Sequence, residues 1–98
     1  MKAIQIQAFG EALTVNTVGD PTPASSEAVV RVHAAGVNPV DTYICAGTYA
    51  KLPDLPYIPG IDGAGVIEAL GNGVTSVSVG DRVYIAGAVA GKVGGTYA

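Results

Sequence analysis

Between Asn38 and Tyr49 the chain sets out its densest group of side chains able to do chemistry: Asn38, Asp41, Tyr43, Cys45 and Tyr49. Asn38 and Asp41 stand three apart, the spacing at which an N-cap and a first-turn acid exchange hydrogen bonds with the start of a helix. Capping explains both residue types without chemistry, and the same pair can equally line a polar site. A tyrosine phenol keeps its proton at neutral pH, with an unperturbed pKa of about 10, so Tyr43 and Tyr49 offer donors on rigid apolar bodies. Donors of that kind can steady an oxygen on which negative charge develops. The plainer reading makes Tyr43 a packed helix-end aromatic and Tyr49 a surface tyrosine. Cys45 near a helix end can be reactive, but an inert packed thiol is the commoner case. His33 on a strand is given no role. Asp62 alone can bind a cation, yet a catalytic zinc needs about three protein ligands, so one acid is insufficient.

These residues need elements to position them. Asn38 as N-cap, Pro39 at the first helical position and Asp41 in the first turn start a short helix that Gly47 stops. It sets Val37, Val40 and Ile44 on one stripe and Asn38, Asp41 and Cys45 on another. Alternation predicts a strand from Lys2 to Ala8, with Ile4, Ile6 and Ala8 on one face, then a turn at Phe9-Gly10-Glu11. Further strands are expected at Ala12 to Val18, Glu27 to Ala35, Gly63 to Leu70 and Arg82 to Ala86. In the third of these, Ala28, Val30, Val32 and Ala34 face one way, Arg31 and His33 the other. Loops run from Gly19 to Ser26 and from Lys51 to Gly60, where Pro53, Pro56 and Pro59 exclude a helix or central strand. Gly71-Asn72-Gly73 and Val79-Gly80-Asp81 read as turns. The run Gly87 to Gly95 is glycine-rich, and another strand is expected to begin at Tyr97-Ala98. Short strands with Gly and Pro punctuation argue for a mainly β domain with one short helix, a small barrel or sandwich.

Composition narrows the function classes. The chain has 98 residues, room for one domain at most. Hydrophobic residues make up 49% and charged residues 13%, the balance of a packed domain and not of a disordered one. Five scattered Lys and Arg residues and a net charge of −3 supply no basic stripe, which argues against nucleic-acid binding. One cysteine forms no internal disulfide and fits a reducing, cytoplasmic setting. The first residues lack the apolar stretch of a signal peptide, and no apolar run reaches the length of a membrane span.

The segment VHAAGVNPVDTYICAGTY, Val32 to Tyr49, resembles the zeta-crystallin-like quinone oxidoreductases, a zinc-independent branch of the medium-chain dehydrogenase/reductase superfamily. LPYIPGIDGAGVIEALGNGV, Leu55 to Val74, and VGDRVY, Val79 to Tyr84, follow in the same order, so the resemblance covers essentially the whole chain. It implies a GroES-like, partly open β-barrel, truncated, with residues 1–98 an incomplete catalytic domain and the Rossmann nucleotide-binding domain absent. Gly71-Asn72-Gly73 does not replace the phosphate loop, because Ser76 stands where a further glycine is required. Zinc-dependent relatives carry Cys where Asn38 aligns and His-Glu where Ile61-Asp62 align, so the resemblance implies no metal at these positions. It assigns Tyr43 to the nicotinamide cofactor, NADPH, and Tyr49 to the substrate pocket, with Asn38 and Asp41 lining the quinone site. Cys45 and Ala46 depart from the arginine and serine often found there. Gly60, Gly63 and Gly65 are expected to allow close backbone packing beneath the site.

The expected reaction is hydride transfer to a quinone or conjugated carbonyl by the intact parent enzyme, with this chain alone inactive. An enoyl or alkenal reductase of the same superfamily is the alternative, with Tyr49 as proton donor. A third reading is a non-enzymatic structural or interaction module that forms a homo-oligomer through exposed apolar surface.

Overall fold

A computed structural model describes residues 1–87 and 95–98. Its elements are β1 (Lys2–Gln5), β2 (Thr14–Thr17), β3 (Ala28–Ala35), α1 (Pro39–Ala46), β4 (Asp62–Leu70) and β5 (Arg82–Ala86). The expected glycine-rich run from Gly87 to Gly95 falls mostly outside the described residues.

β1 and β2 make an antiparallel ribbon with Ile4 opposite Val15. β3, β4 and β5 make a second antiparallel sheet with β4 in the middle. Val29, Val30 and Val32 in β3, Val66 and Ile67 in β4 and Val83 and Ile85 in β5 are β-branched residues suited to a half-buried pleated surface. The β3–β4 register slips between Val29 and Val30 and again between Val32 and Ala34. Such irregularities bend a sheet. Gly65 allows the two strands their close approach, because a Cβ there would run into the main-chain carbonyl of Arg31.

Among the described residues the chain is mainly β with one short helix, as expected, and the strands form two sheets that do not close into a barrel. What joins them is main chain outside the strands. Ile6 and Tyr57 exchange backbone hydrogen bonds of 2.8 and 3.1 Å. Tyr97 donates its N–H to the Pro59 carbonyl at 3.1 Å and accepts from the Ile4 N–H at 2.9 Å. Gly95 and Thr96 likewise donate their N–H groups to the Ile58 and Gly60 carbonyls, so residues 95–97 run between β1 and the proline-rich loop. That loop is no mere connection, since Tyr57 and Pro59 are both buried.

Ile6, Ile44 and Tyr57 form the buried core cluster, with Phe9, Val40 and Cys45 packed against it. Full burial of an isoleucine or similar side chain contributes about 1.5–3 kcal/mol. Two expectations need correction. β1 ends at Gln5, and the backbone bends before Ala8. The buried residues there are Ala3 and Ile6, three apart, because Ile6 leaves the ribbon to pair with Tyr57. On α1, Ile44 is buried as expected, but Val37 is 78% exposed and Asp41 is only 4% exposed. The cap acid lies inside and the apolar residue before the cap lies outside. No helix among the described residues is long and apolar enough to cross a membrane.

Candidate functional site

The start of α1 is built by its own sequence. Asn38 holds extended backbone, φ −120° and ψ 155°, and Pro39 supplies a helical φ where no N–H is needed. The Asn38 N–H donates to Asp41 Oδ2 at 2.8 Å, and the Asp41 N–H donates to the Asn38 carbonyl at 3.0 Å. Gly47 closes the other end in the left-handed region, φ 76°, donating its N–H to the Ile44 carbonyl at 3.0 Å.

Two side chains from elsewhere complete the cap. Tyr97 donates its hydroxyl to Asp41 Oδ2 at 3.1 Å, across 56 residues of sequence. Asn38 donates its side-chain amide to Asp62 Oδ1 at 3.1 Å, at the first residue of β4. The main-chain carbonyl of Asp62 accepts from the Gly36 N–H at 3.1 Å and from the Thr96 hydroxyl at 2.8 Å. Asn38, Asp41, Asp62 and Tyr97 therefore form one connected network joining α1, β4 and residues 95–98.

Burial and, after it, the Asp41 carboxylate set the electrostatics. Its Oδ1 is buried and has no hydrogen-bond partner among the described residues. Around it, three acids are held in their neutral forms. Tyr97 is pushed up to about 12, first by burial, then by its hydrogen bond to Asp41 and by repulsion from that carboxylate. Burial and then the Asp41 charge push the Cys45 thiol up, and the same two causes raise Tyr57. A thiol held protonated is a poor nucleophile, which favours the packed reading of Cys45. An open cleft of about 490 Å³ runs past this cap, walled by Leu13, Val37 and Cys45 together with Asp41 and Tyr97.

The structure brings Asn38 and Asp41 together and leaves Tyr43 and Tyr49 outside their network. Tyr43 is 52% exposed and Tyr49 44%, and neither lines the cleft. Both lie near the C-terminal end of α1, where the Tyr43 carbonyl accepts from the Thr48 N–H at 3.0 Å. His33 is exposed on β3. Sequence reasoning missed Tyr97. Its own neighbourhood carries no signal, and only the fold brings it to Asp41. Asp62 was visible as an acid at a ligand position, but not as the acceptor for Asn38.

The family model for the alcohol dehydrogenase GroES-like domain matches residues 24–97. The chain belongs to that family. It is 46% identical over 94 residues to a quinone oxidoreductase of Rattus norvegicus, covering 93% of this chain and 29% of the relative. Among solved structures, a quinone oxidoreductase of Pseudomonas syringae superposes with a TM-score of 0.85 at 40% identity, over 92% of this chain and 28% of the other. An Escherichia coli quinone oxidoreductase complexed with NADPH also gives 0.85, at 34% identity and the same coverage of 92% and 28%. The chain thus spans less than a third of the length of the relatives it matches.

Proposed function

We propose that this chain forms the substrate-side wall of an NADPH-dependent quinone oxidoreductase that works without zinc. The observation that carries the reading is the engagement of Asn38 with Asp62. Zinc-dependent relatives place ligands at these positions, whereas here an amide donor meets a carboxylate acceptor and the two satisfy each other.

The residues suit the nicotinamide end of the cofactor. Tyr43 and Tyr49 present exposed rings and hydroxyls with no partner among the described residues. Tyr43 would hold the nicotinamide ring and Tyr49 the substrate oxygen. When bound, NADPH supplies the hydride. Tyr49 answers the charge that develops on a quinone or conjugated carbonyl by donating a hydrogen bond from its hydroxyl. Asn38 and Asp41 fix the helix start from which that wall is hung. A single cysteine suits a reducing cytoplasm, and an acidic chain suits a small-molecule partner over nucleic acid.

Orientation of the nicotinamide supplies much of the acceleration in such a reaction, so this chain alone is expected to show no enzyme-like turnover. The test is a chimera in which it replaces the matching segment of the Escherichia coli enzyme. Loss of NADPH absorbance with a benzoquinone supports the reading, and Tyr49→Phe should then slow the step by about tenfold or more. A chimera that binds NADPH yet reduces only an enal or an enoyl thioester would move the assignment to the enoyl reductase class. One that binds NADPH and reduces neither overturns it.

A further inference from the structure

The turn at Gly71-Asn72-Gly73 takes no part in the site above, and its chemistry is of another kind. Its main chain is a β-turn from Gly71 to Val74, with the Val74 N–H on the Gly71 carbonyl at 3.4 Å and Gly73 at φ 82°. A left-handed residue in the third position is where such a turn favours glycine. Asn72 and Gly73 are both exposed. The Asn72 side chain makes no hydrogen bond, and the Gly73 N–H finds no acceptor, among the described residues.

From this geometry we infer that Asn72 is a site of spontaneous covalent modification, converting to aspartate and isoaspartate in the folded protein. The Gly73 main-chain nitrogen gives its proton to solvent hydroxide and attacks the carbon of the Asn72 side-chain amide, whose nitrogen takes a proton from water as it departs. A bond forms between that carbon and the Gly73 nitrogen as the carbon's bond to its own amide nitrogen breaks, ammonia leaves, and a five-membered succinimide closes. Water then opens the ring at either carbonyl. No electrons change hands, and the co-reactant is solvent. A glycine successor brings no side chain to hinder the attack, and its nitrogen is not tied into a ladder.

The other two asparagines lack these conditions. Asn16 lies in β2 before the stiff, β-branched Thr17, and its amide donates to Gln5 Oε1 and Thr14 Oγ1 at 2.9 Å each. Asn38 precedes Pro39, whose nitrogen carries no hydrogen to lose, and its amide is held by Asp62. Selectivity for Asn72 therefore follows from three separate local structures.

The change has a defined structural target. The Asn72 carbonyl accepts from the Ser26 N–H at 2.8 Å, and the Gly71 N–H donates to the Glu27 carbonyl at 2.7 Å. Ser26 sits at φ 65°, a conformation that costs a serine energy and is held by its surroundings. Isoaspartate routes the main chain through the side-chain methylene, lengthening the strut that holds this turn. It also adds a carboxylate, taking the formal net charge one unit below −3.

The experiment ages the folded chain in mildly alkaline buffer, with a parallel sample in urea, and follows each asparagine by peptide mass spectrometry that separates aspartate from isoaspartate. The Asn72 peptide should gain about 1 Da, the difference between amide and acid. It should do so at least about tenfold faster than the peptide of Asn16, whose successor is β-branched. Amide exchange across residues 24–28 should quicken in the aged chain, and Asn72→Gln should abolish both effects. Conversion at Asn72 in the folded chain no slower than in urea by more than a fewfold supports the inference. Protection of Asn72 by the fold to the level of Asn16 overturns it, and so does equal conversion at all three asparagines. Because the readout is covalent and needs no cofactor, its failure leaves the oxidoreductase reading untouched.

Discussion

At the scale of single residues, the 3.1 Å hydrogen bond from Tyr97 to Asp41 decides how the buried carboxylate is tolerated. A hydrogen bond to a charged group contributes about 1.5–3 kcal/mol, so Tyr97→Phe should lower stability by that order, read as a shift in the urea midpoint. A variant with an unchanged midpoint would show that the bond does not form in solution. The same contact sets an alkaline limit. Tyr97 is raised from 10.0 to about 12, so between these values the unfolded chain releases the phenolic proton while the folded chain keeps it. The folded state then binds more protons, and stability falls as the pH rises from about 10 to about 12, being complete below that window. Urea titrations through the window should show the fall, with a shallower slope in Tyr97→Phe; part remains because Tyr57 is raised in the same direction. The sequence reveals only half of this site. Asn38 and Asp41 are legible because capping is local, acting over three residues. Tyr97 is not, because nothing near residue 97 encodes a partner 56 residues earlier. Tyr43 and Tyr49 keep their assigned roles as proposals that rest on the resemblance and on their exposure.

Among the elements, β4 has the least freedom. Gly65 is buried with the Arg31 carbonyl against it, so Gly65→Ala forces β3 and β4 apart. Overpacking of that kind costs about 1–3 kcal/mol, and a thermal melt of the variant checks it. A variant melting with the parent would mean that the strands can separate freely at that point. The strands were readable as elements from alternation and turn residues, and the boundaries of β3, β4 and β5 came within a residue of the expectation. The faces were less readable. β1 breaks its alternation because Ile6 is claimed by Tyr57, a pairing made by a loop whose prolines gave no hint of a buried bridge. The α1 stripe turns because Asp41 is drawn inside by the Asn38 N–H and the Tyr97 hydroxyl, both on its Oδ2, while its buried Oδ1 has no partner among the described residues. Hydrophobic pattern ranks residues by type, and here two hydrogen bonds to one carboxylate oxygen outweigh type.

Over the whole molecule, apolar surface stands uncovered. Tyr84 on the outer strand β5 is 82% exposed and Val37 78%, with Val15 and Val79 also open. Such surface favours self-association, so elution from a size-exclusion column should move to larger size as concentration rises. A strictly monomeric state at every concentration would argue that these residues are scattered singly and form no patch. The network at the start of α1 also has a consequence in time. Pro39 begins the helix and Gly47 ends it, both well before Tyr97 in the order of synthesis. The phenol for Asp41, the hydroxyl for the Asp62 carbonyl and the carbonyl for the Ile4 N–H all come from Thr96 and Tyr97. Closing loops of that length is an entropic cost met before any of these bonds repays it, and folds governed by distant pairings are slow. On the ribosome, the residues of α1 emerge first, and the carboxylate at its head waits for its phenol partner until 56 further residues have been joined.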